Sequence, residues 1–402
     1  MSEPAGGTRF RWFVLAIFVL STAINYLDRQ TLATVAPVLR SELRLSNAEY
    51  GLILMAFSLA YAAGAPFAGW LIDRAGLNRA ISMAVGLWSC AGVATGFTAG
   101  LSGLVGCRAV LGVAEAAGIP AAGKAIHQYL RASERAMGNA MNQAGVSLGM
   151  IVAPPIATFL AVQGSWRRAF VITGLLGLAW IPIWNWVSGR ERATSAPKPD
   201  DANTGSQERG ILRDRRLWAF VAANALSMIG YSLWTNWTTL YLVDVHHLTL
   251  VEAAWYAWIP PVFATVGGIA GGWLSWRFAE RGVMPAAARF RVCLASALLS
   301  LATLAVPATP TAGWSSAVIS LSIFAVAAFS VNMYTLPLDT FGGARAAFAV
   351  SILVASYGAI QAIISPAFGK VIDVYGYAPL TLLASFTPLA ACYVLWSTRS
   401  VR

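Results

Sequence analysis

Apolar residues occur in long blocks along this chain, separated by short polar segments. The block Ala80–Leu104 contains no charged residue, and it is longer than the roughly 20 residues with which a helix crosses a bilayer. Similar blocks occupy Trp12–Pro37, Gly51–Ile72, Leu101–Gly123, Ala136–Val162, Ala169–Ser188, Leu217–Val243, Ala253–Trp276, Val292–Pro337, Ala346–Gly369 and Tyr377–Ser397. Because Val292–Pro337 is long enough for two spans with a break near Pro307–Gly313, the pattern predicts about twelve transmembrane helices. Helices are expected because backbone polar groups in lipid must bond within their own segment.

A polar stretch in the middle of the sequence interrupts these blocks. Residues Gly189–Arg216 are rich in Arg, Asp, Ser and Pro, which is typical of a flexible linker. We therefore predict a six-helix bundle over residues 1–188, a cytoplasmic linker over 189–216 and a second six-helix bundle over 217–402. The segment that begins at Gly69 recurs in part from Gly272. Two related bundles with a binding site near the bilayer midplane are typical of a secondary transporter.

The distribution of charge supports a membrane protein and argues against nucleic-acid binding. Only 11% of the residues are charged, whereas soluble proteins carry about 25%. The net charge of +11 is not gathered in one patch, because basic residues are concentrated in every second loop, for example around Arg74 and Arg131. This positive-inside pattern predicts a multi-pass protein of the inner (plasma) membrane with both termini in the cytoplasm. We expect a monomer in contact with membrane lipids and no nucleic-acid partner.

Four charged residues lie inside predicted spans, Asp28 and Arg29 in the first span and Arg108 and Glu115 in the fourth. An ionised group at the bilayer centre costs about 2.5–3.5 kcal/mol, so such residues usually face a partner or a water-filled cavity. Arg108 and Glu115 are seven residues apart and share a helix face, on which Gly112 leaves room for a neighbouring helix or a ligand. The charges could also serve only to pair the first and fourth spans, and the two roles are compatible.

Charges of both signs suit the transport of an organic anion together with a proton. The planar guanidinium of arginine can bind a carboxylate through two parallel hydrogen bonds, and a carboxylic acid in an apolar cavity can exchange a proton near neutral pH. We therefore predict proton-coupled symport of a small organic anion. An exporter of drugs or metabolites and an anion exchanger are the alternatives with the same fold. We predict neither an enzyme nor a metal or cofactor site, because His127, His246 and His247 are scattered and the spans contain no catalytic dyad.

The segment Gly69–Arg79 resembles the loop signature of the major facilitator superfamily, which links the second and third spans. The resemblance implies twelve transmembrane helices in two pseudo-symmetric six-helix bundles that work by alternating access. It also implies a gating role for Asp73 and Arg74, with the Asp73 carboxylate accepting hydrogen bonds from a helix N-terminus. The copy in the second half has Trp276 in place of the aspartate.

Two further segments, Asn25–Leu32 and Arg108–Pro120, resemble the anion:cation symporter branch of that family, which includes hexuronate and galactonate transporters. The resemblance implies that arginines hold the substrate carboxylate, that acids carry protons and that tyrosines contact the substrate. In this chain these groups would be Arg29 and Arg108, Asp28 and Glu115, and Tyr26 and Tyr61. From the second half we add Asn332 and Gln361 as candidate substrate contacts, because they are polar groups in apolar spans.

The chain departs from the hexuronate transporters at two places. Ile119 stands where those proteins tend to have Asn, and the tenth span lacks their usual polar run at Phe329–Tyr334. Fewer hydroxyl partners favour a less hydroxylated substrate. A sugar acid and another monocarboxylate both remain open.

Overall fold

The computed structural model describes residues 8–190, 211–341 and 343–398, without the side chains at 8, 9, 66, 73, 132, 136, 190 and 343–348. Most of the predicted linker therefore lies outside the described residues, as does the side chain of Asp73. The helices of the first half are α1 (Thr8–Leu43), α2 (Asn47–Ala75), α3 (Leu77–Thr95), α4 (Leu101–Glu115), α5 (Gly118–Tyr129), α6 (Arg135–Val162) and α7 (Trp166–Arg190). Those of the second half are α8 (Arg215–His246), α9 (Leu250–Ala257), α10 (Ile259–Glu280), α11 (Pro285–Leu299), α12 (Ala312–Phe341), α13 (Gly343–Tyr375) and α14 (Ala378–Ser397).

Eleven segments of the described chain are long and apolar enough to cross a membrane. The remaining predicted span corresponds to α3, a 19-residue helix that packs against α4 and α7. Large apolar side chains such as Phe97, Trp255 and Trp314 are exposed on the outer surfaces, which suits contact with lipid instead of water. The all-helical membrane fold expected from the sequence is confirmed.

Several predicted spans differ in detail from the helices that form them. The fourth span is interrupted at Ala116 and Ala117, between α4 and α5, and the eighth is interrupted at Trp258, between α9 and α10. The apolar block predicted to run to Leu104 ends as a helix at Thr95. Apolar composition did not mark this boundary, because the turn that follows is built largely from uncharged residues.

The chain divides into two compact units, of which the first comprises Met1–Leu45 and Leu52–Pro199. Its core includes Phe18, Trp88, Trp180 and Trp184, and the last two rings stack with their centroids 5.4 Å apart. Within this unit α1 packs along α6, and α3 packs along α7.

Small residues permit the close packing of α1 and α6. A Cβ atom at Gly149 would lie 2.3 Å from the carbonyl oxygen of Ala23, and one at Gly145 would lie 2.6 Å from Val19. Glycines four residues apart let two membrane helices approach until their backbones touch. This seam fixes which faces of α1 and α6 are turned toward the interior of the unit.

The second unit comprises Ser46–Gly51 and Asp200–Arg402, so it includes the first turn of α2. The Asp373 carboxylate accepts hydrogen bonds from the backbone amides of Asn47 and Ala48, at 3.0 and 2.9 Å. Amides in the first turn of a helix have no partner within that helix, and a negative charge there is favourable. The Tyr50 hydroxyl adds a bond to the carbonyl of Asn236. These contacts hold the start of α2 within the second unit.

Candidate functional site

A cavity of about 340 Å³ lies within the first unit, in the size range of about 300–1,000 Å³ that is usual for ligand pockets. Side chains from α1 to α6 form its wall. The lining residues are Phe18, Ser21, Thr22, Asn25, Tyr26, Arg29, Tyr61, Ile81, Trp88, Glu115, Gly118, Ile119, Ala122, Gly123, Asn139, Asn142, Gln143 and Val146. Four of the sequence-predicted site residues, Tyr26, Arg29, Tyr61 and Glu115, are brought together here.

Arg29 and Glu115 form an ion pair at the cavity. The guanidinium donates from Nη2 and Nε to the same carboxylate oxygen, Oε2, at 2.7 and 3.1 Å. The Glu115 side chain is fully buried, whereas that of Arg29 is 29% exposed. Arg29 is therefore the more exposed member of the pair.

Three aromatic rings surround the Arg29 guanidinium. Its central carbon lies 4.9 Å from the ring centroid of Tyr26, 4.8 Å from that of Phe57 and 5.3 Å from that of Tyr61. Each such contact stabilises a cation by about 0.5–1 kcal/mol where it is exposed and by more where it is desolvated. Phe57 was not predicted from the sequence, because an apolar ring in an apolar span carries no signal of its own.

The position of Glu115 follows from the packing of α4 against α2. A Cβ atom at Gly112 would lie 2.4 Å from the Phe57 carbonyl oxygen and 3.0 Å from the backbone nitrogen of Tyr61. Gly112 thus leaves room for a neighbouring helix, one of the two uses predicted for it. Glu115 is the last residue of α4, and this close approach places its carboxylate beside the aromatic rings of α2.

Arg108 and Asp28 form a second buried group, and neither is among the residues that line the cavity. Both are only 2% exposed. The Asp28 carboxylate lies beside the Thr173 hydroxyl and interacts with the charges of Arg108 and Glu115. The Arg108 guanidinium lies 5.4 Å from the ring centroid of Phe170. Both neighbours belong to α7, a participation that the sequence did not indicate.

Three amide side chains of α6, those of Asn139, Asn142 and Gln143, line the cavity and were also missed in the sequence. The hydroxyl of Thr22 donates to Oδ1 of Asn142 at 2.9 Å. The signal was present, since these amides are spaced as i, i+3 and i+4 in an apolar span. Such spacing places them on one helix face.

The other predicted residues lie elsewhere. Asn332, in the second unit, donates to the carbonyls of Gly271 and Ala328 at 3.1 and 2.9 Å, so its amide joins α12 to α10. Gln361 is half-buried in α13. Arg74 is exposed, with its guanidinium 5.5 Å from the Trp70 ring centroid. In the described part of the chain, no three His, Cys, Asp or Glu side chains are grouped so that they could hold a metal ion.

Comparison with known proteins agrees with this architecture. The sequence profile of the Major Facilitator Superfamily matches residues 18–353. The hexuronate transporter of Escherichia coli (strain K12) is 29% identical over 407 residues, which cover 96% of this chain and 93% of that protein. The galacturonate transporter of Dickeya chrysanthemi is 31% identical over 286 residues, covering 67% of this chain and 82% of that protein.

Among solved structures, a bacterial homologue of the human lysosomal transporter Spinster shares the fold, with a TM-score of 0.81 and 23% identity over 98% of both chains. The profile match and the coverage of the relatives extend across both predicted halves of the sequence. This chain therefore belongs to the Major Facilitator Superfamily and is a multi-pass transporter of the inner membrane, not an enzyme.

Proposed function

We propose that the protein is a proton-coupled symporter of a small organic carboxylate, a sugar acid or another monocarboxylate, that works by alternating access. The observation that carries this proposal is the ion pair at the cavity, in which a partly exposed Arg29 is held by a buried Glu115. The two relatives named above carry hexuronate and galacturonate, which are sugar carboxylates. Their similarity to this chain supports a carboxylate as the cargo.

The substrate and the proton bind different members of this ion pair, the substrate carboxylate to Arg29 and the proton to Glu115. A substrate carboxylate that binds Arg29 displaces the Glu115 carboxylate, which is then left buried without its counter-ion. Breaking a buried pair in this way costs about 3–5 kcal/mol if the remaining charge stays uncompensated. Uptake of a proton by Glu115 removes that charge and releases Arg29 for the substrate. Substrate and proton therefore bind more tightly together, and by linkage each raises the affinity for the other by the same factor.

Asp28 and Arg108 are a second acid and arginine near the Arg29–Glu115 ion pair. Asp28 interacts with the charge of Glu115 as well as with that of Arg108, so a proton on one acid changes the electrostatic potential at the other. We assign Asp28 as a second proton site and Arg108 as its counter-ion, which can turn to the substrate once Asp28 is neutral. Asn332 and Gln361 stay predictions for substrate contacts contributed by the second unit.

The test is uptake by purified protein in liposomes, with and without an inward proton gradient, using a panel of carboxylates. For Glu115→Gln we expect substrate exchange across the membrane to persist while accumulation driven by the proton gradient is lost. Glu42→Gln is the matched control, because Glu42 also pairs with an arginine, Arg167, but does not line the cavity. The proposal is refuted if Glu115→Gln and Asp28→Asn both still concentrate substrate against its gradient using protons alone.

Gating by the loop between α2 and α3 is the remaining part of the proposal. The side chain of Asp73 lies outside the described residues, so its role rests on the sequence signature, as does the cytoplasmic position of both termini. We predict that Asp73→Asn changes the ratio of inward- and outward-open molecules without abolishing substrate binding. Distance measurements between spin labels on the two halves would test this, and unchanged distance distributions would contradict it.

A further inference from the structure

The faces that α1 and α6 turn to the cavity carry matching polar patterns. On α1 the lining residues Thr22, Asn25 and Arg29 lie at positions i, i+3 and i+7, and on α6 Asn139 and Asn142 lie at i and i+3. Both series follow one face of a helix. The glycine seam between the two helices holds these faces side by side, because side chains larger than a hydrogen atom would not fit there.

The amide side chains of α6 are unusual because they lie in a membrane-spanning segment. Asn139 and Gln143 are exposed and Asn142 is half-buried, although α6 is otherwise strongly apolar. Polar residues within spans are costly and usually face a cavity or a pathway. The amides of α6 meet this expectation, since they line the cavity that contains Arg29.

One donor at this cavity, Nε1 of Trp88, has no acceptor in the described part of the chain, and Trp88 is only 1% exposed. The side-chain amide of Asn25, which is 6% exposed, interacts with the Glu115 carboxylate. A buried donor without a partner costs about 1–3 kcal/mol. A hydroxyl group in the cavity can accept from such a donor, whereas an alkyl chain or an aromatic ring edge cannot.

The Thr22–Asn142 pair offers a ligand both a hydrogen-bond donor and a hydrogen-bond acceptor. The Thr22 hydroxyl donates to Oδ1 of Asn142, which leaves the Asn142 amide nitrogen as a donor and the Thr22 oxygen as an acceptor. A hydroxyl group is itself both a donor and an acceptor. Thr22 precedes Arg29 by seven residues in α1, which corresponds to about 10 Å along the helix at 1.5 Å per residue. A ligand whose carboxylate binds Arg29 therefore extends its other atoms toward this pair.

We infer that Thr22, Asn25, Trp88, Asn139 and Asn142 form a hydroxyl-binding wall, and that the cargo is a polyhydroxylated carboxylate. This inference rests on the proposed function, since it assumes a carboxylate on Arg29. It replaces the expectation of a less hydroxylated substrate, which counted the loss of a polar group at Ile119 but not the amides that α6 supplies.

The experiment compares two probes that share a six-membered ring and a carboxylate, galacturonate and cyclohexanecarboxylate, the second of which has no hydroxyl groups. Binding of each to the purified protein in lipid nanodiscs is measured by calorimetry. The unsubstituted protein is expected to bind galacturonate more than tenfold tighter. A site built around hydrogen bonds discriminates strongly against an analogue that leaves its polar groups unpaired.

Variants then locate the source of this preference. Asn142→Leu is expected to weaken galacturonate binding about tenfold and to leave cyclohexanecarboxylate binding unchanged, and Thr22→Val should act in the same direction with less change in shape. Asn185→Leu is the matched control, because Asn185 belongs to the same unit and also accepts from a hydroxyl, that of Ser82, but does not line the cavity.

Each outcome decides the inference. Equal affinities for the two probes, or an equal loss for both in Asn142→Leu and Thr22→Val, would overturn it. If that happened while both probes still depended on Arg29, the proposed carboxylate transport would stand and only the hydroxyl-binding wall would fall. If neither probe bound in an Arg29-dependent manner, both proposals would fall together.

Discussion

Replacing Arg29 by lysine separates the geometry of the guanidinium from its charge. In the structure the Arg29 guanidinium donates two hydrogen bonds to the Glu115 carboxylate, at 2.7 and 3.1 Å. Its central carbon lies 4.8–5.3 Å from the centroids of three aromatic rings. Lysine keeps the positive charge, but its ammonium is a point donor that cannot form two parallel bonds to one carboxylate. The substitution therefore removes one charged hydrogen bond and weakens the stacking.

The expected loss follows from these contacts. A hydrogen bond to a charged group contributes about 1.5–3 kcal/mol, and a factor of ten in affinity corresponds to about 1.4 kcal/mol. Arg29→Lys should thus weaken carboxylate binding by about 10- to 100-fold. Titration of the purified variant in nanodiscs measures this directly, because binding does not require transport.

A second arginine provides the control for this experiment. Arg167 also pairs with a carboxylate, that of Glu42, and lies 4.4 Å from the ring centroid of Trp166, but it does not line the cavity. Arg167→Lys should leave substrate affinity unchanged. The assignment of Arg29 is wrong if Arg29→Lys binds substrate as tightly as the unsubstituted protein, or if the two variants lose affinity equally.

Two further predictions concern stability. Gly149→Ala should lower the melting temperature of the purified protein by several degrees, because overpacking a tight contact costs about 1–3 kcal/mol, while Gly106→Ala, which meets no neighbouring atom, should not. An unchanged melting temperature for both would contradict the helix seam. Asp373→Asn should speed hydrogen exchange at the amides of Asn47 and Ala48, since losing a capping carboxylate costs about 0.5–2 kcal/mol. Equal exchange rates in the two proteins would show that this cap contributes nothing.

The membrane fold could be predicted because its main determinant is local in sequence. Length and uninterrupted apolarity define a span whatever its neighbours are, and the break near Pro307–Gly313 was found for the same reason. The interruptions at Ala116 and at Trp258 were not found. Both lie in stretches of small or apolar residues, so hydropathy alone shows one continuous span. The sign of a new helix is proline in its first turn, at Pro120 and at Pro260 and Pro261.

Some of the residues that line the candidate site were predicted from the sequence and others were not, and the difference has a physical cause. Arg29 and Glu115 were identified because a charge in an apolar span is conspicuous, and Tyr26 and Tyr61 came with the family resemblance. Phe57 was missed because its role depends on how α2 approaches α4, which is set by three-dimensional packing at a single glycine. Sequence periodicity gives the faces of each helix, but it does not say which face meets the cavity.

The buried charged residues of the candidate site all lie in the first unit, and this affects how substrate binding can be coupled to protonation. Both Arg–acid groups belong to the first unit, where Asp28 interacts with Arg108 and with Glu115. The buried amides of the second unit are neutral, and in the described chain Asn224 donates to the Leu353 carbonyl and Asn332 to that of Gly271. If the charged contacts to the substrate and the protonation sites are confined to one unit, the charges that couple them need not separate when the protein changes conformation. A substrate carboxylate can then neutralise Arg29 while Glu115 takes up its proton, and the net charge of the loaded site stays equal to that of the empty one. A transporter that encloses its loaded site in a low-dielectric region between its two open states benefits from this balance, because an uncompensated charge there is costly.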